Sequence, residues 1–205
     1  MLRKPNNWNE VQEYSESAKL PLSAYVCKIK KVGVQTTDYG DQLCLVFDIA
    51  EGEHKGFYNA DFVANQNADK RWKGVLRLFI PKDDGSESDE WTKRTFKSTI
   101  TAVEKSNPGY VWNWDETSLT GKMIGVLFRN EEWEYEGRTG WTVRPFRALS
   151  IDAVRSGNFK LPNDRPLKNK TASYSNTVAY PTATQAERNE VFAYANSFDD
   201  DDVPF

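Results

Sequence analysis

Glu132-Trp133-Glu134-Tyr135-Glu136 alternates strictly between carboxylates and aromatic rings, and Gly137-Arg138-Thr139-Gly140 follows directly. A period of two sends successive side chains to opposite faces of an extended chain, so both rings lie on one face and the acids on the other. The pattern continues on both sides, with Ile124, Val126 and Phe128 before it and Trp141 to Ser150 after it. The spacing predicts a long β-hairpin over roughly 124–149, turning at 137–140. A hairpin is at best marginally stable alone, so the chain must bury one face of it against further strands or a helix.

Upstream, Ala24 to Val34 alternates over much of its length, with Tyr25, Cys27 and Ile29 on one side and Lys28 and Lys30 on the other. It reads as a half-exposed strand with a basic outer face. Thr36 to Asp41 is a turn, and Gln42 to Ala50 is a second, more buried strand. Residues 57–70 show no clear period and read as irregular or as a short helix. Val75 to Pro81 is a third strand, with Leu76, Leu78 and Ile80 on one face and Val75, Arg77 and Phe79 on the other. A helix follows from about Ser88 to Ser106, with Ser88 as N-cap and Asp89 and Glu90 in a first turn that favours acids. Asn107-Pro108-Gly109 stops it. Gly121 to Arg129 is the fourth strand and leads into the hairpin. Trp91, Trp112 and Trp114 are assigned to the core or its cover.

Three strands, a helix and two more strands predict a mainly all-β chain. The expected fold is a five-stranded OB-fold barrel with one helix between strands 3 and 4, an extended β-hairpin and a disordered C-terminal tail. A helix packed on an open antiparallel sheet fits the same order, and the pattern does not choose between them. The expected division is an N-terminal arm (1–19), a barrel domain (20–158), a flexible linker (159–198) and a tip (199–205). In the arm, Trp8, Val11 and Tyr14 are spaced for a short amphipathic helix, and Ala186–Tyr194 allows another in the tail.

No apolar run approaches 18 residues, so no membrane span or membrane partner is expected. The first residues lack an apolar signal core, which points to a cytoplasmic protein. Cys27 and Cys44 are too few for a disulfide scaffold or a zinc site and read as reduced, half-buried core residues. His54 is the one histidine, which leaves no metal cluster and no Ser-His-Asp set, so no cofactor and no catalytic residue are expected.

The net charge of −3 hides a split. Residues 1–170 carry 26 Lys+Arg against 24 Asp+Glu, and residues 171–205 carry one Arg against six acids. Within the body, cations and rings coincide in two places. One is Lys70-Arg71-Trp72-Lys73 with the outward Arg77 and Phe79. The other is the hairpin, with Trp133, Tyr135, Arg138 and Trp141, continued by Arg144, Phe146 and Arg147. A basic groove with stacking platforms is the chemistry that holds single-stranded nucleic acid. Lys28 and Lys30 add a basic strand face. Rival readings are a magnesium-dependent nuclease using Asp83-Asp84 and Glu131, Glu132, Glu134 and Glu136, and an adaptor that binds only proteins.

The chain closes on Asp199-Asp200-Asp201-Asp202-Val203-Pro204-Phe205. Four carboxylates lead into a stiff apolar plug, because Pro204 fixes its own φ and biases Val203 to extended geometry. Such a peg suits a pocket with an apolar floor and a basic rim. This end resembles the tip of bacterial single-stranded DNA-binding proteins: a run of Asp, an aliphatic residue, Pro and a terminal Phe. The body is longer between strands and richer in Trp than the housekeeping bacterial protein. Leu20 to Ile29 and Pro81 to Ser86 are similar to stretches of single-stranded DNA-binding proteins encoded by phages and prophages of Gram-positive bacteria. The resemblance implies a non-enzymatic protein that coats single-stranded DNA in phage replication or recombination. It also implies recruitment of host or phage replication and repair proteins, with Phe205 and Pro204 in their pocket and the aspartates on its rim. A homo-oligomer fits this plan, although no feature chooses monomer, dimer or tetramer.

Overall fold

The computed structural model describes residues 3–6, 8–9 and 19–167. The expected helix in the N-terminal arm, the tail after Leu167 and the tip at Asp199–Phe205 lie outside the described residues. The rest is mainly β. Five strands, β1 (Ala24–Thr37), β2 (Gly40–Ile49), β3 (Val75–Phe79), β4 (Met123–Tyr135) and β5 (Arg138–Leu149), form one sheet in the order β3-β2-β1-β4-β5. Every neighbouring pair is antiparallel, so the two edge strands β3 and β5 run in the same direction. Three helices accompany them: α1 (Phe57–Ala64), α2 (Glu87–Ser106) and α3 (Ile151–Arg155). Among the described residues no helix is long and apolar enough to cross a membrane.

β1 serves both halves of the sheet. Its start pairs with β4 and nearly its whole length with β2, and a register shift between Ile29 and Lys31 lets it bend. The inner face collects Cys27, Ile29, Leu43, Leu45, Phe47, Ile49, Leu76, Leu78, Ile124, Val126 and Phe128. α2 closes over them with Phe96, Ile100 and Val103. Its N-cap is Ser86 rather than the expected Ser88; the Ser86 hydroxyl accepts from the Asp89 N–H. Asp89 turns back to accept the Lys82 N–H at 2.7 Å and is buried. At the other end the Asn107 side chain bonds Val103 O, Met123 O and Met123 N, pinning the helix end to β4.

The hairpin turns one step earlier than expected. Tyr135 pairs with Arg138, leaving Glu136-Gly137 as a two-residue loop. Both have positive φ, 49° and 73°, as a tight turn that matches strand twist requires. The unpatterned 57–70 stretch begins with α1. Buried Asp48 accepts the Tyr58 and Asn59 N–H groups at its N-terminus, where Gly56 offers no side-chain cap. α3 was not foreseen. It packs on bare Gly125, where an added Cβ would meet Val154 Cγ2 at 2.6 Å. The chain then returns to β4: Arg165 N–H donates to Asn130 O and Glu132 N–H to Arg165 O, a short parallel bridge. Both cysteines are fully buried rather than half-buried.

The sheet is curled but not closed. Residues of β3 and β5 come within 8 Å of each other (Cα–Cα), yet no strand pairing joins them among the described residues.

Candidate nucleic-acid interface

Alternation from the buried inner positions assigns the outer face. It carries Val75, Arg77 and Phe79 on β3, which stand opposite Val46, Cys44 and Gln42 on β2. On the hairpin it carries Arg129, Glu131, Trp133 and Tyr135, opposite Arg144, Thr142, Gly140 and Arg138. Arg147 lies opposite Leu127 on the same side. Trp133, Tyr135, Arg138 and Arg144 therefore share one face.

Trp141 does not join them. It stands opposite Glu132, on the face that also carries Glu134 and the inward Val143. Gly140 explains how Trp133 lies: an added Cβ there would sit 2.7 Å from the indole ring, so the ring covers bare backbone.

A column of charge and ring runs along the hairpin base. The Arg129 guanidinium lies 4.2 Å from the Phe146 ring centre and that of Arg147 lies 5.6 Å away, within cation–π range. Arg129 pairs with Glu131, which Arg165 also approaches at 3.5 Å. Arg155 pairs with Glu51. Arg77 and Arg144 have no carboxylate partner among the described residues, and Arg77 Nε is buried without an acceptor. Burial pushes the Arg77 guanidinium below its ordinary pKa; Cys44 opposes the shift and the Arg144 charge adds to it.

The predicted cluster at Lys70–Lys73 is largely committed to the fold. Trp72 Nε1 donates to Phe47 O at 2.9 Å, and its ring packs on Tyr58 and Phe62. It covers Cys44, Val46 and Val75 on the outer face. Lys73 pairs with Asp61 at 2.9 Å, and Lys70 lies 4.4 Å from the Phe62 ring centre. Arg71 is half-buried, with Nη1 lacking a partner. Lys28 and Lys30 are exposed on β1, Lys28 opposite Asp48.

Two tryptophans expected in the core or its cover are on the surface instead: Trp91 is 69% exposed and Trp114 79%. Trp112 is half-buried between Phe96 and Trp114, at 5.5 and 4.6 Å between ring centres. Trp114 also holds φ at 69°, a left-handed backbone that is uncommon for a bulky residue.

Burial raises the Cys27 and Cys44 thiols above the ordinary range, so both are protonated at neutral pH. Asp83 pairs with Lys93, and Asp84 accepts the Ser86 N–H. Among the described residues no group of three His, Cys, Asp or Glu side chains is placed to hold a metal ion.

No family model matches the chain. No curated protein matches it either.

Proposed function

We propose that the chain is a single-stranded DNA-binding protein of the phage or prophage type, acting by binding rather than catalysis. The observation that carries this reading is the shared outer face. Trp133 and Tyr135 stand with Arg138 and Arg144 on one face of the hairpin, and Arg77 and Phe79 stand on the outer face of β3, a strand that approaches β5. Rings for stacking and cations for the backbone are the two requirements of strand binding without sequence preference. The strand order, the helix between β3 and β4 and the approach of β3 to β5 support reading the sheet as an OB-fold barrel left open along one seam. Stacking contributes roughly 1–3 kcal/mol per base, so two or three rings supply useful affinity. Lys28, Lys30 and Arg147 extend the basic surface. Trp72 stays a support, and Trp141 lies on the acidic side.

The tip completes the proposal. Asp199–Phe205 recruits replication and repair proteins in the cytoplasm of the host cell, with Phe205 in a partner pocket. Titration with oligo-dT is the test: tryptophan fluorescence is quenched, and log affinity falls with log salt by about 0.7 per phosphate contacted. Binding that ignores salt, or no binding, removes the DNA reading and leaves a protein adaptor. Ending the chain at Lys170 keeps or tightens DNA binding and abolishes partner pull-down; loss of both assigns the tail to DNA.

A further inference from the structure

Among the described residues the seam between β3 and β5 is left open. The two strands run in the same direction and approach within 8 Å without pairing. Pro145 on β5 has no N–H to offer a ladder. Arg77 projects from β3 on the outer face, half-buried, with Nε shielded from water and no acceptor. Arg144 projects from β5 on the same face and is exposed. Neither forms an ion pair among the described residues. Two like charges on approaching strands, neither with a carboxylate partner among the described residues, disfavour closure of the seam. Burying an N–H without an acceptor adds a further cost.

A phosphate group removes both costs at once. Its two free oxygens accept from two planar donors, and its charge turns mutual repulsion into attraction to a common centre. We propose that the β3–β5 seam is a phosphate site in which one phosphodiester is held between Arg77 and Arg144, and that filling it draws the two edges together. The proposal rests on the DNA reading above and adds where the backbone is gripped and what the grip does. Bound strand then acts as the missing staple of the sheet, so occupation and ordering of β3 and β5 rise together.

The full chain is tested by hydrogen exchange with oligo-dT and, separately, with tripolyphosphate, which carries the anion without bases. The expected result is added protection confined to residues 75–79 and 143–147 with either ligand. Arg144→Gln, an exposed change that leaves the core intact, loses this protection and lowers the salt slope by about 0.7. Arg138→Gln at the hairpin tip lowers the slope alike but keeps the seam protection. Oligo-dT binding without protection at the seam overturns the inference and leaves the DNA reading standing, as does identical behaviour of the two variants. If oligo-dT does not bind, the DNA reading falls and tripolyphosphate decides the seam. Protection lost in Arg144→Gln supports the site, and absence of protection overturns it.

Discussion

Single residues decide whether a ring is framework or surface. Trp72 and Trp133 have the same chemistry, although Trp72 sits among cations in the sequence and Trp133 among carboxylates. They part because Trp72 Nε1 finds Phe47 O, a carbonyl 25 residues away, and no local pattern announces such a partner. Trp133 lies on bare Gly140. Gly140→Ala therefore displaces the indole and weakens oligo-dT binding. Unchanged affinity would show that Trp133 is not a platform. Alternation located Trp133 and Tyr135 correctly, because one-residue phase is all that face assignment needs. The exposed Trp91 and Trp114 were illegible for the opposite reason: bulk predicts burial, and the left-handed backbone at Trp114 carries no sequence signal. Cys27 gives a pH prediction. Its folded thiol titrates well above the ordinary range, chiefly through burial and then through the Asp48 charge. The unfolded thiol ionises first, so this stability is complete below about pH 8.5 and is lost as pH rises toward the folded value. Cys27→Ala makes the alkaline fall in urea midpoint shallower between neutral pH and pH 10; an unaltered slope would assign that fall elsewhere.

Elements were legible where a period or a cap is local. The β3 and β4 alternations and the Asn107-Pro108-Gly109 stop are all short-range features. The boundaries that moved did so for side-chain reasons. Ser86 takes the cap of α2 because Asp89, three residues on, is drawn to the Lys82 N–H. The hairpin turns at Glu136-Gly137 because Arg138 is already paired. α1 was ambiguous in sequence because its cap is remote: Asp48, on β2, supplies the acceptors its first turn needs. Asp48→Ala leaves these N–H groups without acceptors and costs about 1–3 kcal/mol in urea unfolding. Asp48→Asn keeps one acceptor oxygen and costs less. Equal losses in the two variants would mean that packing, not capping, is the role of this side chain. α3 escaped notice because five residues are too few to show a helical period.

At the scale of the whole molecule, the order of elements in the sequence anticipated five strands and a helix between the third and fourth. It could not anticipate how far the sheet would close, because closure depends on two strands separated by α2 and the whole of β4 meeting edge to edge. The return of residues 164–167 onto β4 likewise emerges only when segments distant in sequence are laid side by side. Leaving β3 and β5 unpaired has a consequence for crowds of this protein. A bare strand edge is a template on which another copy can add its own strand. Here one edge is only five residues long and the other carries a proline, and both present an arginine. A second copy approaching edge-on meets like charge and a missing donor. Copies can therefore sit shoulder to shoulder at high local density without their sheets fusing, and replacing Arg77 and Arg144 by valine should turn a dispersed solution into one that forms fibres or precipitates on standing.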